Sequence, residues 1–223
     1  MSLLGRWRGE RALKALAASE YPKLAAYGAA SWPDPGTLAR EAAYLALDFE
    51  LDGLRKGAHL LQAGWTPFEG RILRLDEAQS LDIRSYAELD RKAVTIHGIG
   101  EERAAQGTPV VEALRALIAA LTGRIMVAHA AWIERSALSG AVEALRGLKM
   151  PIRCVCTLTI ERHLNPNLVG AEAYRLANTR ARYGLPEYEP HDALTDAIAA
   201  AELFQAQLTR LPRDVTLRDI ELG

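Results

Sequence analysis

Apolar residues recur at helical spacing from Leu3 to Tyr27 with arginines and lysines on the opposite face, and Pro22 predicts a break that divides the segment in two. Trp32-Pro33-Asp34-Pro35-Gly36 is turn chemistry and closes this N-terminal helical extension, residues 1–40. The run Tyr44-Leu45-Ala46-Leu47 then predicts a strand buried on both faces that ends in Asp48-Phe49-Glu50. Further strands are predicted over His59 to Trp65 and Arg71 to Leu75, with the turn at Phe68-Glu69-Gly70, which makes an antiparallel three-strand meander. Beyond it the period changes. Val110 to Leu121 reads as an amphipathic helix, Arg124 to Ala128 as a short buried strand, Ala131 to Leu145 as a helix and Ile152 to Val155 as a strand. Helices follow over Thr157 to His163, Ala171 to Tyr183 and Asp192 to Leu208. A meander followed by alternating helix and strand predicts an α/β domain over residues 41–212, a mixed sheet with helices on both faces, and leaves 213–223 as a C-terminal tail.

A length of 223 residues suits one such domain with a short appendage, and 49% hydrophobic with 25% charged residues is ordinary for a soluble globular chain. A net charge of −1 and a pI near 6.5 argue against a protein that coats nucleic acid by bulk electrostatics, though not against one that grips a few nucleotides locally. The two cysteines, Cys154 and Cys156, form a C-x-C pair, which is poor geometry for a disulfide and half of a zinc site at best. They are expected to be small buried residues in a reducing compartment. No apolar run approaches the roughly 20 residues that span a bilayer, and no cleavable apolar stretch follows Arg6, Arg8, Arg11 and Lys14. The expected location is cytoplasmic, with no membrane partner.

Three stretches carry candidate chemistry. Side chains two apart on a strand share a face, so Asp48 and Glu50 point to one side while Phe49 enters the core opposite. Two acids at the end of an apolar strand repel each other and resist desolvation, and a divalent cation removes both problems; a solvated strand end is the bland alternative. In Val127-Ala128-His129-Ala130-Ala131-Trp132-Ile133-Glu134 a buried strand feeds a helix with Glu134 in its first turn, where an acid also simply complements the helix dipole. His129 alone reads more readily as a satisfied structural histidine. In His191-Asp192-Ala193-Leu194-Thr195-Asp196, Asp192 is a plausible N-cap, His191 sits on the loop at the helix mouth and Asp196 lies just over a turn inside.

Each stretch alone is weak. Together, in this order, they resemble the DEDD-type 3′–5′ exonucleases, and within them the epsilon-subunit-like subgroup with a catalytic histidine. Asp48 and Glu50 match its D-x-E motif, His129 to Glu134 its V-x-H-N-A-x-F-D-like segment, His191 and Asp196 its H-x-x-x-x-D motif, and Ile96-His97-Gly98-Ile99 its I-H-G-I stretch. The resemblance spans about residues 43 to 209. It implies an RNase H-like fold and two Mg²⁺ or Mn²⁺ ions per site held by Asp48, Glu50, Glu134 and Asp196. It further implies His191 as general base, and His97, Phe49 and Leu51 as the residues that position the terminal nucleotide. The implied substrate is a single-stranded nucleic-acid 3′ end, DNA before RNA, with a polymerase or repair protein as the implied partner.

The chain departs from the pattern in three places. The second-motif aspartate is Glu134, which moves the carboxylate one methylene outward; the asparagine after the histidine is Ala130; and Leu51-Asp52-Gly53-Leu54 stands where the family often has two threonines before the glycine. Asp52 is expected to face either the cations or solvent. These departures keep two alternatives open: a catalytically degenerate member that binds nucleic acid or a partner, and an unrelated α/β domain matching by chance.

Overall fold

The computed structural model describes residues 3–53 and 58–222; the side chains of residues 3–8, Arg6 and Arg8 among them, and all of Leu54 lie outside that description. Among the described residues, six strands form one sheet: β1 (Ala43–Leu51), β2 (Leu60–Glu69), β3 (Ile72–Leu73), β4 (Gln79–Asp82), β5 (Ile125–Ala128) and β6 (Cys154–Cys156). The order is β3-β2-β1-β5-β6, with β4 also paired to β2. The β1–β2 pair is antiparallel and the β1–β5 and β5–β6 pairs are parallel, so the predicted mixed sheet is the one observed. The strand predicted over Arg71 to Leu75 is only the two-residue β3: a 3₁₀ turn at Leu75–Glu77, where Arg74 pairs with Asp76 at 3.0 Å and Glu77 at 3.2 Å, ends it, and β4 beyond the turn was not foreseen.

The helices are α1 (Leu3–Ala17), α2 (Pro22–Ala29), α3 (Arg91–His97), α4 (Glu101–Gln106), α5 (Val110–Leu121), α6 (Trp132–Arg146), α7 (Thr157–Leu164), α8 (Leu176–Arg182), α9 (Ala193–Leu208) and α10 (Leu217–Ile220). Pro22 occupies the first turn of α2, where its missing N–H costs nothing. The single helix predicted over Ala171 to Tyr183 is instead a 3₁₀ turn (Ala171–Tyr174) and α8, because Arg175 is extended at φ −61°, ψ 149°. The short helices α3 and α4 were not foreseen in the sequence.

Strand parity sorts the core. Leu45, Leu47 and Phe49 point to one face, packed with Leu16, Leu24 and Tyr27 of the N-terminal helices and with Leu114 and Ile118 of α5. Tyr44 and Ala46 point to the other, packed with Ala197, Ala201 and Phe204 of α9. Asp48 and Glu50 continue that second parity and so lie on the α9 face. The N-terminal helices therefore share the main core, and Tyr27 seals the junction by donating its hydroxyl to the Pro151 carbonyl at 2.8 Å. Nor is 213–222 a loose tail. Leu217 is fully buried, Glu221 bridges Val155, and the Leu222 N–H donates to the Cys154 carbonyl at 2.8 Å, which covers the open edge of β6. Cys154 and Cys156 are free and buried, as small core residues.

Candidate active site

Backbone register brings the three acidic stretches together. Ala46 pairs with Val127, so the parallel strand β5 ends level with the acidic end of β1 and delivers the chain to α6, whose first turn carries Glu134. On the other side of β1, Asp48 lies opposite Gly64 of β2. A Cβ at Gly64 would stand 2.0 Å from the Leu194 nitrogen, so only glycine lets the first turn of α9 settle on the sheet beside Asp48. The start of α9 is fixed twice more. Asp192 caps it by accepting from the Thr195 N–H at 3.0 Å, and the buried Gln62 accepts from the Ala193 N–H at 2.9 Å while donating to Asp82 at 3.0 Å.

Ligating atoms of Glu50, His191 and Asp196 all lie within 4.8 Å of one another. Asp48 and Glu134 adjoin this group, as their electrostatics record. Burial, then the charges of Glu134, Asp196, Glu50 and Asp192, holds the Asp48 carboxyl well above its usual range. Burial followed by Asp196 and Asp192 pushes Glu50 up to about 7, and burial with Glu50 beside it pushes Glu134 up to about 8. Asp196 is raised by burial even though it accepts from the Tyr188 hydroxyl at 2.8 Å and the His191 N–H at 2.7 Å. Glu134 is 3% exposed, and its Oε2 has no hydrogen-bond partner among the described residues. Crowded acids with an orphaned buried oxygen form a poor site for protons alone and a good one for a hard divalent cation. The carboxylate oxygens fit such an ion, with the His191 imidazole close beside them.

The remaining candidates divide. His97 ends α3, buried, with Nδ1 accepting from the Ile99 N–H at 3.1 Å and Nε2 unpartnered among the described residues. Burial, then His191 and Arg103 nearby, lowers its pKa, which places it beside the His191 loop. Leu51 is half-buried at the end of β1. Phe49 is only 5% exposed and belongs to the core on the face away from the carboxylates, so the substrate contact implied for it is not what its side chain makes. Asp52 faces neither cations nor solvent: it is fully buried, and its Oδ1 accepts from the His59 N–H at 2.7 Å. Arg180 and Arg182 of α8 are committed internally. Arg180 pairs with Glu202 at 2.7 Å and Arg182 with the buried Glu161 at 3.0 Å, while Arg175 pairs on the surface with Glu172 at 2.8 Å. Lys14 is exposed on α1.

His129 is structural. Its Nε2 donates to the Tyr174 carbonyl at 2.8 Å and its Nδ1 meets the Thr157 hydroxyl at 2.9 Å, while burial lowers its pKa to about 4, so the neutral ring ties β5 to the 3₁₀ turn. The next residue, Ala130, has φ 64°, a left-handed conformation that costs an L-residue with a Cβ roughly 1–2 kcal/mol and suits asparagine or glycine. The asparagine of the family pattern thus matches a backbone need at this turn. Ala130→Asn is expected to raise stability by about 1 kcal/mol, read as a higher urea midpoint at unchanged slope; a lower midpoint would show that the turn is not strained.

The exonuclease family profile (RNase_T) matches residues 45–204, so the chain belongs to that family, and the DEDD-type resemblance of its motifs is borne out. A DNA polymerase III of PolC type from Thermotoga maritima is 27% identical over 165 residues, which cover 74% of this chain and 12% of that protein; the chain spans about an eighth of its curated relative. Among solved structures, Exonuclease X in complex with 5′ overhanging duplex DNA superposes with a TM-score of 0.59 at 22% identity, over 75% of this chain and 92% of that one. The nuclease domain of 3′hExo, a DEDDh member bound to rAMP, gives 0.64 at 13% identity, over 78% and 95%. The zinc-bound E. coli Exonuclease I–single-stranded DNA complex gives 0.66 at 15%, over 78% and 42%. At these identities the likenesses establish the fold, an RNase H-like exonuclease sheet. Among the described residues no helix is long and apolar enough to cross a membrane.

Proposed function

We propose that the protein is a 3′–5′ exonuclease that removes nucleoside 5′-monophosphates from single-stranded DNA, with Asp48, Glu50, Glu134 and Asp196 holding two Mg²⁺ or Mn²⁺ ions. The observation that carries this reading is the convergence of four carboxylates from three separate elements, each raised by burial and by at least one neighbouring carboxylate. When bound, the cations supply the charge that makes this crowding tolerable and that stabilises the attacking and leaving oxygens of a phosphodiester displacement. His191, exposed at the mouth of α9, accepts the proton of the attacking water as general base. The water oxygen bonds to phosphorus, the phosphorus–O3′ bond breaks, and the shortened strand leaves with a free 3′ end. His97 offers its unpartnered Nε2 to the terminal nucleotide, beside Leu51. The PolC-type relative supports a polymerase or repair partner and DNA before RNA as substrate.

The departures Glu134 and Ala130 support one rival, a fold retained for binding after catalysis has weakened. A 5′-labelled single-stranded oligonucleotide incubated with Mg²⁺ or Mn²⁺, beside Asp48→Ala, separates the two. Stepwise shortening that disappears in the variant is expected. An oligonucleotide left intact by both proteins, yet shifted on a native gel, would replace the enzyme by the binding module. A parallel RNA oligonucleotide reads the preference between the two nucleic acids.

A further inference from the structure

Asp196 is anchored at both oxygens. The Tyr188 hydroxyl donates to Oδ1 at 2.8 Å, and the His191 backbone N–H donates to Oδ2 at 2.7 Å. The second bond requires His191 to adopt a left-handed φ of 72°, so the backbone is strained at the point where it reaches the carboxylate. The first depends on a ring that is itself held. The Arg180 guanidinium lies over Tyr188, 5.0 Å from its centroid. Arg180 is 3% exposed, donates to the Ala199 carbonyl at 2.8 Å and the Pro186 carbonyl at 3.1 Å, and pairs with Glu202. A buried cation on α8 thus fastens the loop that precedes α9 to the body of α9. Tyr188, half-buried on that loop, carries the constraint to the carboxylate.

We infer that Tyr188 is a positioning residue of the cation site, its hydroxyl fixing the plane of the Asp196 carboxylate. A carboxylate has about four lone-pair positions. Two are taken by these donors, and the plane they define sets where the other two are offered, among the ligating atoms of Glu50 and His191. A free carboxylate would have to be ordered at the moment of binding, and outer partners of this kind commonly hold 10–100-fold of metal affinity. Tyr188 touches neither cation nor substrate in this role; it acts through Asp196. The inference rests on the two-cation reading of the site.

The test is Tyr188→Phe in the full chain, which keeps the ring over Arg180 and removes only the hydroxyl. Mn²⁺ binding is followed by the loss of the free-ion electron paramagnetic resonance signal, alongside thermal unfolding in EDTA. The expected result is a dissociation constant for Mn²⁺ raised roughly 10–100-fold, with the metal-free unfolding midpoint little changed and oligonucleotide degradation recovered to within a few-fold by excess Mn²⁺. A metal-free midpoint that falls while the Mn²⁺ affinity stays at the wild-type value makes Tyr188 a packing residue and overturns the inference. So does an unchanged affinity with an unchanged midpoint. Wild-type protein that takes up no Mn²⁺ at all overturns the cation reading as well, whereas wild-type uptake with an indifferent Tyr188→Phe overturns the role of Tyr188 alone.

Discussion

Glu50→Gln should make the metal-free protein more stable above neutral pH while lowering its rate on an oligonucleotide by on the order of 10³-fold. The two effects have one cause. Burial with Asp196 and Asp192 nearby raises the Glu50 carboxyl from 4.5 to about 7, so in the absence of a cation the folded state holds its proton more tightly than the unfolded chain does. The sign follows. Stability linked to this group is fully present below about pH 4.5 and is lost as pH rises through about 7, a loss on the order of 3 kcal/mol. Glutamine has the shape of the protonated acid and cannot ionise, so it escapes that loss. It is also a poorer ligand, and several kcal/mol of transition-state stabilisation go with the missing charge, which is the thousand-fold in rate. Urea unfolding in EDTA at pH 8.5 measures the first effect and oligonucleotide shortening the second. A variant that is less stable than wild type at pH 8.5 without metal would mean that Glu50 is a structural acid with partners, not one of a crowded set.

How far this was legible in the sequence depended on whether the signal was local. The β1 strand could be read to its acidic end because apolar run and D-x-E parity are properties of neighbouring residues, and the structure puts Asp48 and Glu50 on the α9 face as that parity requires. Val110–Leu121 matched residue for residue because its apolar stripe is strongly periodic. The third strand failed where Leu75-Asp76-Glu77 turns, since an arginine pairing with two acids within three residues favours a tight turn that an alternation count does not register. The helix over Ala171 to Tyr183 failed for a long-range reason. His129 takes the Tyr174 carbonyl, so that carbonyl is drawn out of the helical ladder by a residue far away in sequence.

The same distinction runs through the site. Asp48, Glu50, Glu134, His191 and Asp196 were named because each sits in a short motif, whereas Tyr188 and Gln62 sit in none. Gln62 did leave a mark, as a polar residue inside the apolar run Leu60-Leu61-Gln62-Ala63, but its meaning depends on the Ala193 N–H across the sheet. Phe49 shows the converse. Proximity in a motif suggested a substrate contact, and the parity that aims its neighbours at α9 aims it into the core. Among the described residues, the non-glycine residues with positive φ, Ala130 and His191, fall at the turns that deliver Glu134 and Asp196. Conformational strain is concentrated where acidic groups are brought in, and the rest of the sheet supports it.

That concentration predicts a stability that depends jointly on pH and cation. Glu134, raised to about 8 by burial and by Glu50, extends the window set by Glu50, so between about pH 5 and pH 8.5 the metal-free fold loses the contributions of both groups as they ionise. Mn²⁺ is expected to bind the ionised set, so protons compete with it strongly at pH 5 and far less at 8.5. At a concentration about 100 times its dissociation constant it adds roughly 2.7 kcal/mol. For a chain of 223 residues that is a shift in the thermal midpoint of roughly 5–10 °C. The expected measurement is a difference in midpoint between Mn²⁺ and EDTA that is close to zero at pH 5 and reaches this size at pH 8.5, with the EDTA midpoint falling in between. An equal difference at both pH values would place the bound ion on ordinary surface carboxylates, already ionised at pH 5. A difference that opens only through neutral pH requires acids whose protons are held by one another, and in this fold those are the acids that meet at the end of β1.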